Sequence, residues 1–281
     1  MKVRFAVLAA ALAGVVAVPA SALTLFNTDN PTGVTFTGFD WAQGGTAYTT
    51  GFQPVTGDTF TLTYFAWATA VVNGNNPIPP ANELNLDIVA DGVKASPSAY
   101  EYTVVATVQE TVDSCTGLGA TGTCTFSVTG GTFNIYYDTA ANANSSTGTG
   151  FTDGQSIVSG NLFGPDTTFT TSNGLLTGQP SGQAIATLFG TNLITDTTYI
   201  KPAVGTATSS TTLQLGDNQT NGYTPPTQFN GDALPPSSPD VLFQADGNSS
   251  FTPATVPEPA SLALLGLGLG ALGWKVRRAK G

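Results

Sequence analysis

Apolar and polar residues alternate with a period of two along much of the chain, which predicts strands, because successive strand side chains point to opposite faces. The pattern is clearest at Thr59–Tyr64 (TFTLTY), where Phe60, Leu62 and Tyr64 share one face and the threonines the other. Glu83–Ile88 (ELNLDI) alternates in the same way, predicting Leu84, Leu86 and Ile88 inward and Glu83 and Asp87 on a solvated face. Tyr102–Val108, Thr125–Val128 and Thr132–Tyr137 read as three strands of a meander, the last two joined by a Gly130-Gly131 turn. Shorter strand-like pieces follow at Ser156–Phe163, Thr167–Thr171, Ala184–Phe189 and Thr211–Leu215. Between them, Ala140–Gly150 reads as an exposed loop, and Pro- and Asn-rich Asn221–Pro239 as extended or looping. No amphipathic helix appears in this stretch. Many short strands with frequent turns predict an all-β fold, an antiparallel sandwich or jelly-roll.

The two ends break the pattern. Lys2 and Arg4 precede an apolar run from Phe5 to Val18, and Ala20-Ser21-Ala22 places small residues at the positions a signal peptidase reads. The run is too short to span about 30 Å of hydrocarbon. Residues 1–22 are therefore expected to be a secretory signal peptide cut after Ala22. At the other end Ala260–Trp274 is apolar, and Lys275, Arg277, Arg278 and Lys280 follow at once. Such charges stay cytoplasmic and leave the upstream chain outside. The expected organisation is a β-rich exported domain at 23–248, a stalk at 249–256, and a sorting and anchor segment at 257–281.

These ends change the charge of what lies between them. Of eight basic residues, only Lys94 and Lys201 lie outside the ends, whereas Glu258 is the single acid of the tail among eighteen. The exported body thus sets seventeen acids against two bases, a formal charge of −15. Nucleic acid is excluded as a partner, since its binding depends on Lys and Arg displacing counterions. The only cysteines, Cys115 and Cys124, flank a Gly/Thr loop, and export favours a disulfide between them.

Candidate chemistry is sparse. The chain contains no His, which removes Ser-His-Asp and Cys-His catalysis. A glycosidase needs two carboxylates facing one another across a groove. Glu101 and Glu110 lie too far apart along one predicted strand, and Glu83 and Asp87 read as surface acids. Calcium, which takes oxygen ligands, is the cation such a body would hold, and Asp153, Asp217 and Asp246 in turn-like clusters are its candidates. Phe36, Phe39, Trp41, Tyr48, Phe52 and Trp67 form an aromatic group that either packs a core or stacks on sugar rings.

Val256-Pro257-Glu258-Pro259-Ala260-Ser261, the apolar run behind it and the basic end resemble, in that order, the PEP-CTERM sorting signal of Gram-negative bacteria. The resemblance implies that an exosortase, a membrane-bound cysteine transpeptidase, recognises Pro257, Glu258 and Pro259 and removes or exchanges the tail. It also implies a transient stay in the inner membrane before release to the surface or matrix. The prolines disfavour helix and leave an extended segment that an active site can grip. Phe39-Asp40-Trp41-Ala42 with Gly51-Phe52, and Gly150-Phe151-Thr152-Asp153-Gly154, are similar to proteins of this sorting class linked to flocculation. That likeness implies association with exopolysaccharide in a biofilm or floc. The expected function is a non-catalytic surface protein without a cofactor; a carbohydrate-binding module, with or without calcium, and an exopolysaccharide-modifying glycosidase are the alternatives.

Overall fold

A computed structural model describes residues 22–254 apart from 75, 78–82, 118–121, 172–180, 220–222 and 235–239. The signal segment with Ala20, and the tail with Pro257, Glu258, Pro259, Lys275, Arg277, Arg278 and Lys280, lie outside the described residues. Ala22 is the first described residue.

The strands, in chain order, are β1 (Thr24–Leu25), β2 (Val34–Thr35), β3 (Gly38–Trp41), β4 (Gly45–Thr50), β5 (Thr59–Asn73), β6 (Asn76–Pro77), β7 (Glu101–Thr116) and β8 (Gly122–Asp138). There follow β9 (Gln155–Phe163), β10 (Thr167–Thr171), β11 (Gly182–Thr195), β12 (Ile200–Lys201), β13 (Val204–Leu215), β14 (Gln228–Phe229), β15 (Asp232–Ala233) and β16 (Leu242–Pro253). The all-β, antiparallel expectation holds.

The main ladder closes on itself. β3 and β4 lie end to end between β16 and β5, and together make one stave. β9 and β10 likewise fill one stave between β8 and β11. The ring then reads β3/β4, β5, β7, β8, β9/β10, β11, β13, β16 and back to β3/β4. Among the described residues each stave pairs with the next in sequence, and the last returns to the first. A jelly-roll needs crossover connections, and this ring has none. Its opposing walls share one apolar core, as the two sheets of a sandwich do.

Alternation decides what fills the ring. On β7, Tyr102, Val104, Ala106, Val108 and Val112 point inward and are buried. On β5 the inward set is Phe60, Leu62, Tyr64, Ala66 and Ala68. Phe39 packs against Phe36, Trp41, Tyr102 and Phe251, with ring centroids 4.9–6.1 Å apart. A smaller apolar cluster lies outside the ring, where Ala90, Ala143, Phe151, Phe229 and Leu234 cover the outward-facing Phe65. The Phe65 and Phe229 rings stack at 4.5 Å.

Several local expectations change. Gly130 and Gly131 do not form a turn; they lie within β8, opposite Gln109 and Val108. Thr129, between Gly130 and Val128, has no partner across β7, so one extra residue bulges β8 and switches its inward set. Phe133, Ile135 and Tyr137 face in on one side of the bulge, and Cys124 and Phe126 on the other. A Cβ on Gly131 would lie 2.4 Å from the Thr107 carbonyl oxygen, which is why the ladder closes there only over glycine.

Glu83–Ile88 forms turns and an isolated bridge, not a strand, and of its three apolar residues only Leu86 packs against the core. Glu83 and Asp87 are buried, while Leu84 is 75% and Ile88 53% exposed. The loop at 140–150 is irregular as expected, but Ala141 and Ala143 are buried. The expected stalk also disappears in part, because residues 249–253 belong to β16, which closes the ring.

Phe39 is fully buried amid four aromatic neighbours, so Phe39→Ala should cost about 3–5 kcal/mol in urea unfolding. Val55→Ser, at a 63% exposed position, should leave the midpoint almost unchanged.

Candidate functional site

Four of the seventeen acids of the body are buried, and three of them are tied into the ends or interior of the ring. At the end where β7 begins, Tyr100 donates its hydroxyl to Glu83 and, at 3.3 Å, to Asp29. Asn27 Nδ2 donates to both Glu83 oxygens at 3.2 Å and to the Tyr102 hydroxyl at 3.0 Å, and Asn30 Nδ2 adds a bond to Glu83 at 3.0 Å. Burial raises the Glu83 carboxyl above its ordinary range, against these bonds, which lower it. Glu83 and Asp29 thus share one hydroxyl, but amide donors occupy Glu83 on its other sides. This is a knot tying the N-terminal segment to the ring. Asp87 serves a loop: its carboxylate accepts the Val89 and Ala95 amides at 3.2 and 3.0 Å.

Glu101 faces outward from β7 but is covered by the 140–151 loop. One carboxylate oxygen accepts the backbone N–H groups of Asn142 and Ala143, both at 2.9 Å. Burial outweighs those two bonds and pushes Glu101 up to about 7, with Asp138 and Asp87 adding to the rise. Glu110 points inward, in step with Val108 and Val112. Thr167 donates to it at 2.9 Å, and burial pushes it up to about 7. The expectation that Glu83 and Asp87 are solvated surface acids is therefore overturned, and Glu101 and Glu110 are buried as well. For Glu110 the signal was present in the sequence, since strict alternation from Tyr102 to Val112 places it on the apolar face.

The calcium candidates do not converge. Asp153 accepts Asn142 Nδ2 at 3.0 Å. Asp217 lies in a single 3-10 turn, Gly216–Asn218, where its backbone N–H donates to Ser181. Asp246 is not in a loop; it is within β16, paired with Thr212, and its neighbouring acid is Asp40. Among the described residues no three His, Cys, Asp or Glu side chains group so as to hold a metal ion.

The aromatic group is core. Phe36, Phe39, Trp41 and Phe52 are 0–3% exposed, and Trp41 Nε1 donates to Ser249 at 2.8 Å inside the ring. Tyr48 leans on Phe229 in the outer cluster, and Trp67 Nε1 donates to the Ile88 carbonyl at 2.8 Å. Cys115 and Cys124 form the expected disulfide at the tip of the β7–β8 hairpin.

The interior holds two chambers of about 50 and 40 Å³. Leu62, Ala186 and Leu213 line both, so the chambers adjoin. Tyr64 helps line the larger one, and its hydroxyl is buried without a hydrogen-bond partner. Glu110 is the ionisable group of the smaller one.

The molecule is thus a closed antiparallel β-ring with an acidic exterior, whose last strand ends just before the tail. Residues 255–278 match the PEP-CTERM protein-sorting motif. That motif implies export, processing by exosortase and surface sorting in Gram-negative bacteria. No curated protein and no solved structure matches the chain.

The buried acids fix the pH dependence of stability. With folded values about 7, above the 4.5 of an ordinary Glu, Glu101 and Glu110 hold protons that the unfolded chain releases. Their contribution is complete below about pH 4.5 and is lost as pH rises through 7, each on the order of 3 kcal/mol. The thermal midpoint should therefore fall between pH 4.5 and 7.5, and Glu110→Gln should flatten that fall. A midpoint that rises over the same interval would refute this assignment.

Proposed function

We propose that this chain is a non-catalytic surface protein that exosortase delivers to an exopolysaccharide matrix, where it serves adhesion, biofilm or floc formation. The observation that carries this reading is the sorting motif at 255–278, which follows almost directly on the ring-closing strand β16. Closure pairs the long strands on both sides along most of their length, a property that suits a protein displayed at high density outside the cell. Its acidic exterior favours hydration and keeps copies apart. The likeness of Phe39-Asp40-Trp41-Ala42 and Gly150-Phe151-Thr152-Asp153-Gly154 to flocculation-linked proteins supports the matrix role, although Phe39, Trp41 and Phe151 act in packing. Sugar stacking through the Phe36–Trp67 aromatics draws no support, because most of those rings are buried. The glycosidase alternative is not retained, because Glu83 is enclosed by amides and Glu101 and Glu110 face opposite sides of one strand.

Replacing Glu258 with Ala should leave the tail uncut. Intact mass of the cell-associated protein should then include residues 260–281, whereas the natural protein should lack them. Deleting the gene should reduce aggregation and matrix retention of the cells. Unchanged aggregation, with the tail normally removed from the natural protein, would contradict the matrix role while leaving the sorting intact.

A further inference from the structure

The chain leaves the ring at a definite place. β16 ends at Pro253, and the Ala254 amide donates to the Ala203 carbonyl at 2.8 Å, just ahead of β13. The apolar run Ala260–Trp274 begins six residues after Ala254, so the two are at most about 20 Å apart. A strand of 12 residues such as β16 is about 40 Å long. Whatever surface holds the apolar run therefore lies within reach of one end of the ring and out of reach of the other.

That end differs from the rest of the exterior. It gathers the starts of β7 and β13 and the ends of β5, β8, β11 and β16. Of the nine large apolar side chains exposed among the described residues, five stand there: Leu84, Ile88, Val89, Val93 and Ile194, each 53–75% exposed. The Asn85 carbonyl, beside Leu84, accepts the Tyr100 amide just before β7. Lys94, beside Val93, donates to the Thr139 carbonyl just after β8, and Ile194 precedes the last residue of β11. Val55 stands at the opposite end, where the neighbouring Gly57 amide donates to the Val112 carbonyl.

Single exposed apolar side chains are ordinary, but a cluster marks a contact surface. Three of the five share one turn, residues 88–93, which the protein fixes from behind. The Gly92 amide donates to the Ala143 carbonyl and the Ser145 amide to the Ala90 carbonyl, both at 2.9 Å, and the Asp91 carboxylate accepts the Val93 amide at 2.8 Å. The turn satisfies its backbone on the protein and leaves Ile88, Val89 and Val93 facing outward. Charge points the same way. The two lysines of the body, Lys94 and Lys201, both lie at this end, the second paired with Thr24 just ahead of β13. Asp29, Asp91, Asp138, Asp153 and Asp196 stand there too, but the remaining acids outside the core have no base among them. This is the part of the exterior that a lipid surface repels least.

We propose that, until the tail is removed, the ring rests its tail-bearing end on the lipid bilayer, with Ile88, Val89 and Val93 entering the interface and Leu84 and Ile194 beside them. The proposal rests on the reading of the tail as a membrane-held segment before exosortase acts. A short tether keeps such a contact at high effective concentration, so a few aliphatic side chains suffice. Cutting the tail removes the tether, and the weak contact then lets the ring go. The local excess of acids makes a zwitterionic surface the better partner, with apolar insertion as the attraction.

The test uses the full chain with Glu258→Ala, which keeps its tail, in phosphatidylcholine nanodiscs carrying a nitroxide-labelled lipid, and reads methyl NMR line widths. The Ile88, Val89 and Val93 methyls should broaden several-fold more than those of Val55 and Ile185. Replacing phosphatidylcholine with phosphatidylglycerol should weaken the effect. Val89→Asp with Val93→Asp should abolish it and leave the urea midpoint almost unchanged, since both positions are exposed. A chain that joins the discs without selective broadening would overturn the docking and leave the tail reading intact, whereas a chain that does not join them would overturn both. Shifts of the same methyls with protein concentration, in the absence of discs, would make the face a contact between copies and overturn the proposal.

Discussion

Everything in this structure depends on the pairing of the last strand with the first stave of the ring. β16 lies between β13 and the β3/β4 stave, and residues such as Asn248 and Asp40, 208 positions apart, are ladder partners. Remove that ladder and the ring becomes an open curled sheet with two edges. Its backbone groups would then need other partners, and its core would lose Phe243, Ala245 and Phe251 from one wall. The cost is kinetic, since such distant contacts are reached only after much of the chain has ordered. For an exported protein the consequence is direct: the ring can close only when the residues just ahead of the sorting motif are available.

The same closure explains which parts of the fold were legible in the sequence. Strands with one wet face, such as TFTLTY, announce themselves by alternation, and the flanking of a short loop by Cys115 and Cys124 announced the disulfide. β16 did not, because Ser249, Ser250 and Thr252 make a closing strand look like a stalk when only local composition is read. Gly130-Gly131 read as a turn because glycine marks turns and bulges alike; only the register against β7 separates them. The burial of Glu83 and Asp87 has another cause. Hydrogen bonds from Asn27, Asn30 and Tyr100 to Glu83, and from backbone amides to Asp87, outweigh the exposure of Leu84 and Ile88. Those partners lie as much as 56 residues away, beyond the reach of any local pattern.

The candidate site was legible at its two extremes and hidden between them. The tail is a linear motif, so Pro257, Glu258 and Pro259 stand out without a fold. Glu110 was readable by parity, whereas Glu101 was not, since its burial depends on a loop laid over an outward face. Tyr64 could be assigned to the inner face, but a buried hydroxyl without a partner is a property of packing alone. The buried acids also temper the charge count: protonated Glu101 and Glu110 lower the negative charge that the body presents at or below neutral pH.

The central claim is that residues 242–253 are the closing strand of the ring and not a tether to the tail. Native-state hydrogen exchange tests it most directly, by comparing the amides of Ala245–Thr252 with those in the middle of β7. Closure predicts that both sets exchange only through global unfolding, with equal free energies. Rapid exchange of Ala245–Thr252 while β7 stays protected would contradict it.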